Sequence, residues 1–451
     1  MRGYQGGRIF SGRMKSVHSG KTEVIKTFIK GGCLSLDKEK ALILARKDPR
    51  KKETFDYSLE ELKDLTKTAG GEVVSVLVQQ LEKPHKAHYL GDGKLEEAAG
   101  VIEEHEIELV IINDELSPTQ LRNITNRLEV RVIDRSQLIL DIFAYRAKTK
   151  EGKLQVELAQ LQYLLPRLSG QGVQLSRLGG GIGTRGPGET KLETDRRHIR
   201  RRIRDVRTRL DQVVEHRKQY RERRKENSAF QVAIVGYTNA GKTTFFNKIT
   251  SADSLQEDKL FATLDPLTRQ TQLPSGLEVL MSDTVGFIQH LPTTLIAAFR
   301  STLEEVTEAD FILHIVDASA SDHDQHEKTV LSLLEELGAE NLPRLTVYNK
   351  QDKVEGPFTP MEKPSVQTSF KDDRGVGDAL SAIEEVLSEN WDPYHTYVKA
   401  EEGKFLKTLE LNTLVYVREF LEERGEYVVR GYIDPLHPLR DKVIPKEHKD
   451  E

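Results

Sequence analysis

At 451 residues the chain is too long for one hydrophobic core, and 37% hydrophobic against 31% charged residues places it among ordinary multidomain globular proteins rather than disordered or fibrous ones. A single cysteine, Cys33, excludes an internal disulfide or a cysteine metal cluster and reads as a small apolar residue; no apolar run of about 18 residues occurs, so no membrane span is expected. The net charge of −5 hides an asymmetry: Thr190–Glu226 carries 15 Lys or Arg against 7 Asp or Glu, which is +8 and leaves −13 for the remainder.

Residues 1–22 are rich in Gly, Arg and Ser without periodicity, which predicts a mobile arm. The arm is basic, but no apolar stretch follows it, so it is no secretory signal and a cytoplasmic location is expected. Over residues 23–148 strand-like and helix-like patterns alternate. The strand candidates are Leu42–Ala45, Val73–Val78, Leu109–Ile112 and Val130–Ile133. The helix candidates are Leu59–Thr68, Leu95–Glu104, Pro118–Leu128 and Gln137–Arg146. Ser58 with Glu61 forms a capping-box pattern, and Ser117 precedes a proline at a first helical position. Such alternation predicts a small parallel α/β domain. Tyr89–Lys94 (YLGDGK) resembles a phosphate loop faintly and reads better as a turn.

Residues 149–226 read as a helical hairpin. Its first helix, Lys153–Arg167, carries Leu154, Leu158, Leu161 and Leu165 at helical spacing and is closed by Pro166 and Gly170. Between Ser169 and Glu189 stand eight glycines with Arg177 and Arg185 among them and Lys191 just beyond. Glycine lets a backbone approach a ligand closely and arginine suits phosphates, so this loop reads as functional. The second helix, Thr190–Glu226, has few apolar residues, Leu192, Ile199, Ile203, Val206, Leu210, Val213 and Val214, and as far as Val213 they draw one narrow stripe. Glu–Arg pairing on a solvated helix does not account for a surplus of eight positive charges. Contact with a polyanion does, most simply an RNA backbone met by Arg196, Arg197, Arg200, Arg201 and Arg204.

Residues 227–393 hold the strongest signals. Gly236–Thr243 reads GYTNAGKT, a G-x-x-x-x-G-K-[ST] phosphate loop, between a β-branched run (Phe230–Val235) and a helix-compatible segment. Gly236, Tyr237, Thr238, Asn239, Ala240 and Gly241 would turn their amides toward phosphates. Lys242 would reach the β- and γ-phosphates, and the Thr243 hydroxyl would ligate Mg²⁺. In Phe261, Ala262, Thr263, Leu264 and Asp265, Thr263 stands where a second Mg²⁺ ligand belongs, and Thr268 is a weaker choice. Asp283, Thr284, Val285 and Gly286 follow a strand; Asp283 would hold Mg²⁺ through water, and the Gly286 N–H would meet the γ-phosphate. Asn349, Lys350 and Asp352 make an NKxD pattern, whose carboxylate accepts from guanine N1–H and the 2-amino group, donors that adenine lacks. Thr368, Ser369 and Phe370 end a last strand, where a backbone N–H meets guanine O6. Four motifs in order at strand ends, where such sheets bind ligands, point to GTP and GDP.

Two positions bear on hydrolysis. Phe287 and Ile288 follow Gly286 where related enzymes place a water-orienting glutamine, which predicts slow turnover until a partner supplies or repositions a catalytic group. Asn239 either helps hold a K⁺ beside the phosphates or only shapes the loop; equal rates in K⁺ and Na⁺ would exclude the first. Residues 394–451 read as a small α/β appendage with one helix (Leu406–Leu421), a strand (Glu426–Tyr432) and a charged tail from Ile444.

The phosphate loop, FATLDPLTR, DTVGF, NKQD and the upstream GTRGPGETKLETDRRHIRRRI together resemble the HflX-type GTPases of the Obg-HflX-like superfamily, over roughly residues 23–390. The last segment is the most specific. Leu267, where Thr is commoner, and TSF in place of an SA-like motif depart slightly from the pattern. The resemblance implies an N-terminal α/β domain, a helical hairpin and a P-loop GTPase domain. It also implies binding of the large ribosomal subunit through the hairpin and glycine-rich loop, and rescue or splitting of stalled ribosomes under stress. Some members also hydrolyse ATP, a property attributed to the N-terminal domain. A monomer is expected, with ribosomes or the membrane periphery as places of association. The alternatives are an RNA-binding scaffold with a structural GTP and an rRNA- or tRNA-processing timer.

Overall fold

The computed structural model describes residues 39–50, 52–168, 187–226, 229–250, 260–261, 264, 266–288 and 300–444. The N-terminal arm, Cys33, the glycine-rich loop with Arg177 and Arg185, Ala262, Thr263, Asp265 and the tail beyond Ile444 lie outside them. The chain divides into two compact units: one runs to Tyr145 and includes Glu157–Val206, and the other comprises Arg146–Val156 and Arg207–Glu451.

In the first unit β1 (Lys40–Lys47), β2 (Glu72–Gln80), β3 (Leu109–Ile112) and β4 (Arg131–Asp134) alternate with α1 (Lys52–Thr68), α2 (Asp92–His105), α3 (Pro118–Leu128) and α4 (Arg135–Arg146). The strands form a parallel sheet in the order β2-β1-β3-β4. Ala41–Ala45 and Leu109–Ile112 are fully buried, as strands covered on both faces require. Ser117 caps α3 as expected, its side chain accepting from Gln120 N–H while Gln120 reaches back to Ser117 N–H. Ser58 does not cap: α1 begins at Lys52, because Phe55 extends the buried stripe toward the N-terminus, and Ser58 bonds instead to Asn113. Glu61 pairs with the buried Arg135. YLGDGK is a turn into α2, with Tyr89 at φ 66° and Gly91 at the cap.

Helix α5 (Lys150–Arg167) starts three residues before the expected Lys153 and ends at the expected Arg167, with Pro166 inside its last turn. Its last turns are tied to the first sheet. Asp134, fully buried, accepts from Tyr163 Oη at 2.7 Å, from Arg167 Nη2 at 3.2 Å and from the Leu116 and Gln137 amides. Burial and the neighbouring Asp134 push the Tyr163 hydroxyl well above its usual pKa. Truncating one partner strands a buried charge, so Arg167→Met is expected to lower stability by about 3 kcal/mol. An unaltered urea midpoint would contradict this.

Helix α6 (Pro187–Glu226) buries Ile199, Ile203 and Val206, and Arg202 forks onto Glu157 at 2.5 and 3.0 Å. Farther along the expected stripe Leu210 and Val213 are half-buried, and Val214, beyond it, is 38% exposed.

The second unit is built on a six-stranded sheet: β5 (Phe230–Gly236), β6 (Leu267–Gln272), β7 (Glu278–Asp283), β8 (Phe311–Asp317), β9 (Arg344–Asn349) and β10 (Ser365–Gln367). The order is β10-β9-β8-β5-β7-β6, parallel except for the β6–β7 hairpin. α7 (Lys242–Thr250), α8 (Arg300–Thr307), α9 (His323–Glu336) and α10 (Asp373–Asn390) complete this layer. Residues of alternating parity along β5 and β8 feed two buried clusters, one holding Ile234 and Leu313, the other Val235 and Ile312.

At the C-terminus β11 (Asp392–Lys399), α11 (Gly403–Asn412), β12 (Leu414–Leu421), β13 (Glu426–Ile433) and α12 (Arg440–Val443) form an antiparallel sheet, β11-β13-β12, with helices. Two expectations are corrected. The helix stops at Asn412, and Leu414–Leu421, rich in β-branched and aromatic residues, is a strand paired with β13. β11 starts at Asp392, two residues before the expected boundary; Trp391, edge-on to Phe230 at 5.3 Å, and Leu414 join the core of the six-stranded layer.

Candidate nucleotide site

β5 delivers the chain into the phosphate loop at Gly236, and α7 leaves it at Lys242. Both loop glycines are required by geometry. A Cβ at Gly236 (φ +152°) would lie 2.2 Å from the Ile315 carbonyl, and one at Gly241 (φ +105°) 2.2 Å from Asn349 Nδ2. Between them Asn239 sits exposed at φ 62°, which is a loop-shaping conformation. Tyr237, Thr238 and Ala240 are buried, and Thr238 Oγ1 is a buried polar atom with no hydrogen-bond partner.

Lys242 is 6% exposed and its Nζ donates to the Tyr237 carbonyl at 2.6 Å. Desolvation pushes its pKa down to about 8, against the opposing pull of Asp283. Phosphate capture needs the ammonium form. GDP affinity is therefore expected to be flat below about pH 8 and to weaken above it, by about tenfold between pH 7 and 9. Calorimetry showing equal affinity at both values would refute it.

The end of β7 lies across from the loop. Asp283 is fully buried, and its Oδ2 accepts from Thr243 Oγ1 at 3.0 Å. A hydroxyl and a carboxylate side by side are hard oxygen donors suited to Mg²⁺ with water and phosphate completing the shell. Among the described residues no group of three or more His, Cys, Asp or Glu could hold a metal alone. Thr284 is a support: its hydroxyl donates to the Ile234 carbonyl at 2.6 Å. Val285 is buried. Gly286 must be glycine, since a Cβ would meet Thr238 at 2.8 Å and Lys242 Nζ at 3.1 Å. The neighbouring peptides are stitched together, Thr238 N–H to the Phe287 carbonyl at 2.9 Å and Phe287 N–H to the Gly236 carbonyl at 3.1 Å. Phe287 and Ile288 are buried, at 3% and 1% exposure. Thr268 Oγ1, the weaker metal candidate, is 2.9 Å from Ser282 Oγ within the β6–β7 pairing. Phe261 and Leu264 are buried in the segment between α7 and β6.

The candidate base-recognition residues are gathered from two strand ends. Asn349 links the loops: its Nδ2 donates to the Ala240 carbonyl at 2.8 Å and its Oδ1 accepts from Phe370 N–H at 2.9 Å. Lys350, at φ 64°, pairs with Asp317 at 2.7 Å. Asp352 is exposed and accepts from Ser369 Oγ at 2.6 Å, a hydrogen bond that lowers its pKa and holds it as a carboxylate. Thr368 N–H is committed to the Tyr348 carbonyl, and the Phe370 ring packs against Phe245. The Ser369 N–H is then the candidate donor to guanine O6.

The chain is similar to known families and proteins. Residues 56–144 match the family described as "GTP-binding GTPase N-terminal", 146–224 "GTP-binding GTPase Middle Region" and 231–350 "50S ribosome-binding GTPase". The GTPase HflX of Alkalihalophilus pseudofirmus is 54% identical over 415 residues, covering 92% of this chain and 97% of the relative. That of Escherichia coli K12 is 41% identical over 374 residues, 81% and 87%. The chain belongs to the HflX family of GTPases. Among solved structures, a GTP-binding protein of Sulfolobus solfataricus in complex with GDP aligns over 78% of this chain and 99% of its own, with 24% identity and a TM-score of 0.42. As a member of the HflX family the protein is a GTP hydrolase with a GTP-binding domain.

Two residues of this HflX-family site escape a reading by motif. Asp317, at the end of β8, positions Lys350; its place at the end of a central parallel strand was the available signal. Gly375, in the first turn of α10, lets the base loop close, since a Cβ there would lie 2.1 Å from the Ser369 carbonyl; a glycine inside a helical pattern was the only hint. Of the candidate RNA-facing residues, Arg197, Arg200, Arg201 and Arg204 are exposed on α6 and Arg196 is half-buried. Lys191 lies on α6, and its side chain is not described.

Proposed function

We propose that this GTPase binds the large ribosomal subunit in a nucleotide-governed way and acts on stalled ribosomes during stress. The observation that carries the proposal is the two-sidedness of α6. Ile199, Ile203 and Val206 are buried, while Arg197, Arg200, Arg201, Arg204, Arg207 and Arg209 stand in solvent. A file of exposed guanidiniums fits an RNA backbone. The family description of residues 231–350 is in keeping with that partner.

Within the reaction we assign Lys242 to the β- and γ-phosphates and Gly286 N–H to the γ-phosphate. Thr243, Asp283 through water and Thr263 would hold Mg²⁺, which screens the charge developing between the phosphates. Phe287 and Ile288, buried directly after Gly286, are apolar and cannot orient water, so turnover is slow alone and accelerates on the ribosome. Asn239 is the position where K⁺ would add to this. Sedimentation with ribosomal subunits tests the proposal. Pelleting with the large subunit in a non-hydrolysable GTP analogue and release in GDP, with stimulated turnover, is expected. Binding indifferent to nucleotide would favour a scaffold. Charge reversal at Arg200, Arg201 and Arg204 should weaken pelleting and flatten its salt dependence.

A further inference from the structure

The second residue of the phosphate loop is held from behind. The ring of Tyr237 lies on the imidazole of His326 with centroids 4.0 Å apart and planes 11° from parallel. Both residues are buried, at 3% and 8% exposure. His326 comes from the first turn of α9, where its N–H bonds to the Asp322 carbonyl. The strand that leads into the turn before α9 ends at Asp317, the partner of Lys350 on the base side. One short stretch, residues 317–326, therefore touches both the phosphate loop and the base loop.

We propose that His326 is a positioning residue of the nucleotide site, setting the phosphate loop through its stack on Tyr237. What hangs on Tyr237 makes this more than packing. Its carbonyl receives Lys242 Nζ at 2.6 Å, and its backbone pairs with Phe287 as a parallel bridge. On either side of it, Thr238 N–H and the Gly236 carbonyl bond to Phe287. Gly286 rests against Thr238 with no room for a methyl group. A displacement of Tyr237 is thus passed to the phosphate-binding ammonium and to the glycine that meets the γ-phosphate. The ring beneath it resists that displacement because stacked aromatic rings hold a preferred separation and offset.

Three variants of the full-length protein test the assignment with nucleotide alone, and no ribosomal partner is needed. His326→Phe keeps a flat ring; His326→Leu keeps apolar volume without one; His326→Ala removes both. Expected is a rise of about five- to tenfold in the Kd for GDP and the KM for GTP in the leucine and alanine variants, with the phenylalanine variant within about twofold of the unsubstituted protein. Thermal melts run beside them separate this from simple destabilisation, which lowers Tm without moving KM in the folded fraction. If the leucine variant binds GDP as tightly as the unsubstituted protein, or if the phenylalanine variant is as weak as the leucine one, the stack does not position the loop. Should the alanine variant fail to fold, the phenylalanine and leucine pair alone decides.

Discussion

Replacing Lys242 by alanine is expected to remove GTP and GDP binding while leaving the protein folded. The buried ammonium is a desolvated charge, with a pKa pulled down to about 8, and a hydrogen bond to the Tyr237 carbonyl at 2.6 Å. Removing it relieves a desolvation cost in the nucleotide-free protein, so Tm is expected to hold or rise. In the bound state the same ammonium would serve two phosphates. Each charge-assisted hydrogen bond contributes about 1.5–3 kcal/mol, so the loss is about 3 kcal/mol or more, at least about a hundredfold in Kd. Titration with a fluorescent GDP analogue beside a thermal melt gives both readings. Retained affinity would place the phosphates elsewhere, and a collapsed Tm would make Lys242 part of the core.

The second large effect belongs to Asp352→Asn. The carboxylate is poised by Ser369 Oγ at 2.6 Å, and its lowered pKa keeps it an acceptor on both oxygens. Guanine offers two donors, N1–H and the 2-amino group. An amide turns one acceptor into a donor and sets it against the amino group, at a cost of about 3 kcal/mol, roughly a hundredfold in affinity for GTP. A purine with a carbonyl at that position, xanthosine triphosphate, presents an acceptor instead and should bind the variant better than GTP does. Competition binding with GTP, xanthosine triphosphate and ATP reads this out. An unchanged order would mean that another group reads the base.

Much of this site was legible because a phosphate loop is a local object. The atoms that exclude a side chain at the two glycines, the Ile315 carbonyl and Asn349 Nδ2, come from β8 and β9, but Gly236, Gly241 and Lys242 themselves stand at fixed spacing within eight consecutive residues. The same holds for Ser117, whose cap needs only the next three residues. Ser58 carries the same local pattern and does not cap, because a buried Phe55 upstream draws the helix past it. The C-terminal stretch failed for a related reason. Leu414–Leu421 could continue a helix by its apolar spacing, and what makes it a strand is β13, a partner that its own residues do not encode.

Sequence alone determined the motifs: a G-x-x-x-x-G-K-[ST] loop, an NKxD pattern and an arginine-rich helix follow from residue types at fixed spacings. Tertiary structure decided which distant side chains hold those parts still. Asp317 against Lys350, Ser369 against Asp352, Asn349 between the two loops and His326 under Tyr237 are pairings across strand ends and helices. Contacts of that kind leave no periodic trace in a chain, since either partner looks like an ordinary polar or aromatic residue until the sheet brings the two together.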